Sequence, residues 1–340
     1  MKCLLDWGNP VFFCYNTYMI NKHLEHPEDS IFTSGRKGLH TILNFLQEKK
    51  SNITVKYDGA PAIVWGVNPD NNRFFVGTKS VFNKVKVKIN YNHNDIEVNH
   101  GHVPAVASIL HMCLENLPRI RGVYQCDFIG YGGAREYNPN AITYKFHPPI
   151  SDRHNIVVAA HTEYKGHTLK DMEAFFEFPF SVSTDEYDLN RAKTDPFSQE
   201  ETKFLNTDAK LNTPDYKLGL YIAAARVASN FVKFPTEEEG KKLKIAVNKY
   251  IREGRELDVY QLSKETGFGK NLFQLYKFLI EIKELLMESV ETFESVDCFI
   301  GDEECGHEGY VMTNDHGTFK LVKRGTFSYA NFNLKKNWNK

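Results

Sequence analysis

The sequence predicts an α+β protein: an antiparallel-sheet core assembled from both ends of the chain, with an all-helical block inserted between them. Three observations carry this. Short β-branched runs fill the early part of the chain at 53–57 (ITVKY), 61–67 (PAIVWGV) and 73–78 (RFFVGT). Helical periodicity takes over between about residues 214 and 294, and β-like runs return at 308–314 (EGYVMTN) and 318–323 (TFKLVK). A chain of 340 residues also exceeds what one small core organises. The expected division is therefore residues 1–185 for the first part of the core, 186–296 for the helical insertion, and 297–340 for the second part of the core.

The elements follow in order. Leu39, Ile42, Leu43 and Leu46 recur at i, i+3, i+4 and i+7, which predicts a helix over about 32–49 with Ser34 at its N-cap. The turn NPDNN at 68–72 separates the strands at 61–67 and 73–78, so the first three strands read as an antiparallel meander. A helix is expected at 102–117, then apolar strands at 123–129, 141–146 and 156–160. Residues 185–213 are polar and turn-rich, and helices are expected near 214–233, 236–254 and 269–294. In the last of these, Leu272, Leu275, Phe278, Leu279, Ile282, Leu285 and Leu286 form an apolar stripe that marks a packed face. Asp315-His316-Gly317 is a turn joining the final two strands.

Composition narrows the class. The 42 Lys and Arg residues nearly cancel 43 Asp and Glu, so no global field draws the chain to nucleic acid or to an anionic membrane, and any polyanion site is local. Six cysteines, at 3, 14, 113, 126, 298 and 305, form no CxxC pair, which fits free thiols in a reducing, cytoplasmic setting. Cys298, Cys305 and His307 lack a fourth ligand at zinc-site spacing. The start MKCLLDWGNP is broken by Asp6 and Pro10, so neither a signal peptide nor a membrane span is expected.

The sharpest local feature is Lys56-Tyr57-Asp58-Gly59, at the end of a predicted strand. A lysine that is partly desolvated and near other cations has its pKa lowered, and as an amine it can attack phosphorus. Its partners follow downstream. Glu308-Gly309 opens a strand with a carboxylate able to hold Mg²⁺, and Lys320 and Lys323 supply cations that neutralise charge building on a displaced phosphate.

This set resembles the covalent nucleotidyltransferase superfamily of ATP-dependent DNA ligases, RNA ligases and mRNA capping enzymes. The resemblance implies an adenylation-domain core in which Lys56 becomes a lysyl-nucleotide, with Asp58 and Gly59 completing the KxDG motif and Glu308 holding the metal. It assigns Lys79, in Thr78-Lys79-Ser80, to the ribose and phosphates, Asp127 to the ribose hydroxyl where the family usually has glutamate, and Thr54 to the base edge. Phe146 and His161 are the candidates for the aromatic that stacks on the base. Pro61 stands where DNA ligases commonly have arginine, and Lys320 and Lys323 are three apart where the family has Lys-x-Lys. With 17 residues after Lys323, no C-terminal OB fold is expected, which favours RNA-ligase-like chemistry.

The implied activity is an ATP- and Mg²⁺-dependent polynucleotide ligase that seals 5′-phosphate to 3′-hydroxyl ends of RNA or nicked duplex, with the helical insertion as a platform for substrate or a protein partner. The alternatives are an inactive binding or regulatory module on the same fold, and a nucleotidyltransferase acting on a protein or a cap-like end. Lys84, Lys86 and Lys88 alternate with Val85, Val87 and Ile89, which would place three cations on one strand face. Lys335, Lys336 and Lys340 around Trp338 form a basic tail.

Overall fold

The structure, a computed structural model, describes residues 24–176, 200–213 and 216–334. A 3₁₀ turn at Pro27–Asp29 leads into α1 (Ser30–Thr33) and α2 (Gly35–Gln47), then β1 (Asn52–Lys56), β2 (Ala62–Val67) and β3 (Phe74–Gly77). Helices α3 (His93–His100) and α4 (Pro104–Asn116) precede β4 (Val123–Gly130), β5 (Thr143–Phe146), β6 (Ile156–Lys165), β7 (Glu173–Phe175), β8 (Thr202–Phe204) and β9 (Asp208–Leu211). Next come α5 (Tyr216–Ala228), α6 (Glu237–Arg252), α7 (Val259–Thr266) and α8 (Lys270–Met287). The chain closes with β10 (Val290–Thr292), β11 (Val296–Ile300), β12 (Glu303–Cys305), β13 (Gly309–Asn314), β14 (Gly317–Val322) and α9 (Phe327–Asn333).

The α+β class and the antiparallel sheets are as expected. One sheet runs β10-β9-β1-β13-β14, a second β3-β2-β4-β6-β7 with β8 beside β6, and a third β12-β11-β5. Among the described strands only the β6–β8 pair is parallel. The first sheet joins the two ends of the chain, since β1 lies against β13 with Lys56 opposite Gly309. This corrects the meander: β2 and β3 pair with each other, but β1 leaves them for β9 and β13. Alternating apolar residues specify a strand and its buried face, not its partner.

The interval 186–296 is not all helical. Strands β8 and β9 at one end and β10 at the other enter the sheets, and β9 pairs with β1 itself, leaving α5–α8 over Tyr216–Met287 as the helical part. Helix α7 is an addition. Asp258 caps its N-terminus by accepting from the backbone N–H of Tyr260 and Gln261, and Gly267 ends it at φ +73°, so the stop and start signals were present in the sequence. Helix α8 ends at Met287 because Val290–Thr292 is claimed by β9. Residues 84–88 form no strand: Lys86 has a left-handed φ of 57°, and Lys88 donates to the Asn99 carbonyl, so the three lysines do not share a strand face. The basic tail at 335–340 lies outside the described residues.

The helical part shares one apolar core with α1, α2, β1, β13 and β14, through residues such as Phe32, Leu39, Phe273, Tyr276, Met312 and Leu321. Buried charge completes that seam. Lys283 of α8 and Glu28 are both fully buried with Nζ 2.8 Å from Oε1, while Arg324, just past β14, donates to Asp29 at 3.0 Å and to the Tyr276 hydroxyl at 2.6 Å. Lys244 of α6 adds a bond to Glu25. The second sheet has its own core against α4, centred on Trp65, Leu110, Cys113 and Cys126.

Candidate nucleotide cleft

Along β1 burial alternates, with Ile53 and Val55 buried and Thr54 and Lys56 less so, as a period-two strand requires. Register carries the row onward: Thr54 is opposite Val311 of β13, and Val311 is opposite Lys320 of β14. These three residues line one wall of a cleft of about 190 Å³. The facing wall comes from the second sheet, through Gln125 and Asp127 of β4 and Ala159, His161, Thr162 and Tyr164 of β6. Lys79 and Thr207 also line it.

Thr54, Lys56, Lys79, Asp127 and Lys320, all singled out in the sequence, therefore meet in one cleft. Lys79 opens a 3₁₀ turn (Lys79–Phe82) after β3 rather than continuing the strand; the Thr78 hydroxyl accepts from the Ser80 backbone to cap it. Asp58 and Glu308 are buried beside Lys56. The Lys56 ammonium donates a hydrogen bond to Glu308 and lies 3.9 Å from Asp58 Oδ1. Asp58 is itself held by its backbone N–H, which donates to the Tyr144 hydroxyl at 2.8 Å, leaving Oδ2 without a hydrogen-bond partner among the described residues. Of the two C-terminal lysines, Lys320 faces the cleft, whereas Lys323 is exposed beyond the end of β14. Lys323 therefore does not line the cleft. A three-residue spacing puts it off the face that Lys320 shares.

Both motif glycines have steric reasons. A Cβ on Gly59 would come 2.7 Å from the Phe128 carbonyl and 2.8 Å from the Asp127 Cβ, so glycine lets the loop after Lys56 close onto β4. A Cβ on Gly309 would sit 2.0 Å from the Leu321 carbonyl, so glycine allows β13 to approach β14 beside Glu308.

Of the two candidate stacking residues, Phe146 is buried among Tyr57, Tyr137 and Tyr144 and does not line the cleft, while His161 does. His161 Nε2 lies 3.6 Å from Asp127 Oδ1, and its Nδ1 is 2.7 Å from the Thr162 hydroxyl. Gln125, Thr162 and Tyr164 escaped the sequence reading. The alternation QCD places Gln125 and Asp127 on one face of β4, and that was the available signal. The Tyr164 hydroxyl donates to Gln125 Oε1 at 2.7 Å and so orients its amide in the cleft.

Charge in the site departs from expectation. Burial favours a neutral Lys56, but the Glu308 carboxylate, with Asp58 behind it, outweighs burial and holds the ammonium above the usual lysine range. Burial pushes Glu308 up in spite of Lys56, because one ammonium is shared between two buried carboxylates. Lys320 is the lysine that shifts down, through burial first and then repulsion from Lys56 and Arg324. The repulsion between Lys56 and Lys320 thus shows in Lys320, while the carboxylates outweigh it at Lys56.

Two β-sheets face each other across this cleft, whose lining brings Lys56, Lys79 and Lys320 together with Asp127. The chain belongs to a family of unknown function, DUF6267, whose model matches residues 21–266 and 258–336. No curated protein and no solved structure matches it. Among the described residues, no helix is long and apolar enough to cross a membrane.

Proposed function

We propose that the protein is an ATP-dependent nucleotidyltransferase of the polynucleotide-ligase type, with Lys56 as its nucleophile. The observation that carries the reading is the meeting of Thr54, Lys56, Lys79, Asp127 and Lys320, drawn from β1, β4, β14 and the turn after β3, in one cleft. In the first step the neutral Lys56 amine attacks the α-phosphorus of ATP. The N–P bond forms, the bond to the bridging oxygen breaks, pyrophosphate leaves, and the amine proton passes to solvent. A 5′-phosphate oxygen then takes the AMP from Lys56, and a 3′-hydroxyl displaces AMP to seal the strand. Lys320 and Lys79 neutralise phosphate charge, and Asp127 accepts from a ribose hydroxyl.

The residues around Lys56 fit Mg²⁺: Glu308 and the unpartnered Oδ2 of Asp58 are hard oxygen donors, and their two carboxylates outnumber the ammonium between them. When bound, Mg²⁺ supplies charge neutralisation for the nucleotide phosphates. Glu308 turned toward a cation would loosen its hold on the Lys56 proton.

The ammonium tied to Glu308 favours a second reading, a nucleotide-binding or regulatory module without turnover. Intact mass after incubation with ATP or GTP and Mg²⁺ separates the two. An AMP- or GMP-sized adduct that is missing from Lys56→Ala supports transfer, and RNA ends, nicked duplex, cap-like ends and protein acceptors are then compared. Folded, uncharged protein that forms no adduct with either nucleotide but still binds one supports the module.

A further inference from the structure

Helices α3 and α4 each carry a histidine and a glutamate four residues apart: His93 and Glu97 on α3, His111 and Glu115 on α4. Residues four apart share a helix face. The two faces meet in an antiparallel contact, in which Glu97 accepts from His111 and Glu115 faces His93. His111 Nε2 lies 2.7 Å from Glu97 Oε1, and His93 Nε2 lies 3.5 Å from Glu115 Oε1. The other two ring nitrogens face each other, Nδ1 to Nδ1, at 2.6 Å. The ring centroids are 4.9 Å apart with planes 25° from parallel, so the gap between centroids exceeds the nitrogen gap by one ring diameter. Both Nδ1 atoms thus lie on the line joining the rings, with their in-plane lone-pair directions aimed at one another.

The tautomers follow. A carboxylate accepts hydrogen bonds only, so His111 Nε2, 2.7 Å from Glu97, carries the proton and its Nδ1 presents a lone pair; with the His93 proton on the Nε2 that faces Glu115, its Nδ1 presents one too. Two lone pairs pointed together repel unless a cation lies between them. The geometry points to a divalent transition-metal site, with Zn²⁺ as the probe, bridged by His93 Nδ1 and His111 Nδ1 and braced crosswise by Glu97 and Glu115. Neutral imidazole suits zinc, copper and nickel rather than magnesium, and a carboxylate on the far nitrogen is the usual support of a metal-bound histidine. A tetrahedral ion about 2.0–2.1 Å from each nitrogen needs the pair to open to roughly 3.3 Å. His93 is half exposed and free to swing by that amount. Among the described residues no third His, Cys, Asp or Glu converges here, so water completes the coordination and the ion exchanges freely. The site is on the α3–α4 hairpin and makes no use of the cleft residues.

The test is calorimetric titration of metal-stripped full-length protein with Zn²⁺, comparing wild type with His93→Ala, His111→Ala and Glu97→Gln. His93 and Glu97 are exposed and His111 is half-buried, and far-UV circular dichroism checks that each variant is folded. Zinc bound by other histidines and cysteines persists in every variant, so the readout is the loss of one site. One site present in the wild type and missing from both alanine variants is expected, with affinity about 10–100-fold weaker in Glu97→Gln. In ¹⁵N spectra, Zn²⁺ should move the Nδ1 resonances of His93 and His111 together. Equal stoichiometry in wild type and either alanine variant overturns the proposal. So do unmoved Nδ1 resonances, which would mean that the two nitrogens share only a proton.

Discussion

Lys56 and Glu308 are separated by 252 positions in the chain, and the Lys56 ammonium donates directly to the Glu308 carboxylate. The contact is set by backbone register. Lys56 is opposite Gly309 on the β1–β13 ladder, which brings the residue before that glycine to the end of β1. A motif at each end of the sequence becomes one charge cluster because the first sheet is closed by both ends.

Replacing Lys56 with methionine leaves Glu308 and Asp58 together without their cation. The expected cost is about 2 kcal/mol at pH 8, less than the 3–5 typical of a fully buried pair, because the lysine side chain is a quarter exposed. Glu308 is already raised by burial and rises further without the ammonium. A group with a raised folded-state pKa is most stabilising when protonated, so the gap between variant and wild type should narrow as pH falls from 8 to 5. Urea unfolding at several pH values measures this.

The two C-terminal lysines should separate cleanly. On the proposed chemistry, Lys320→Ala lowers the rate of nucleotide adduct formation by about a hundredfold or more, since it removes a cation from the cleft. Lys323→Ala, at an exposed position past β14, leaves it unchanged. Single-turnover assays with radiolabelled ATP distinguish the two.

The fully buried Lys283–Glu28 pair ties α8 to the turn before α1. Lys283→Met leaves the buried Glu28 carboxylate with only Arg324, 3.9 Å away, and should cost about 3 kcal/mol. Adding Glu28→Gln removes the under-compensated charge, at the cost of its contact with Arg324, and should recover part of that loss. Chemical denaturation of the two single variants and the double variant gives the coupling directly.

Two buried histidines and the half-buried His307 make the fold acid-sensitive. Burial, aided by Arg324 and other cations, holds His26 far below its usual range; burial, then Lys88, lowers His100 to about 4; and burial lowers His307. Each takes up its proton less readily when folded than when unfolded, where the usual value is 6.5. Stability therefore falls as pH drops below about 6.5, by up to about 1.4 kcal/mol per unit per histidine, and His100 stops contributing below about 4. His100→Gln should flatten the slope of the urea midpoint against pH between 6.5 and 5.

Local sequence determined the α+β class, the strands that carry Thr54, Lys56 and Asp127, and the apolar faces of α2 and α8. Those features rest on period-two and period-3.6 patterning and on turn and capping residues, all read within a few positions. Tertiary structure decided what depends on partners far along the chain. It took β1 out of the meander and paired it with β9 and β13, and it chose Lys320 over Lys323. It also set Lys56 between two carboxylates that reverse its expected shift, and joined the histidine–glutamate pairs of α3 and α4. A strand's pattern states which face is buried, but which strand lies beside it, and which charge faces it, is settled only when distant segments pack.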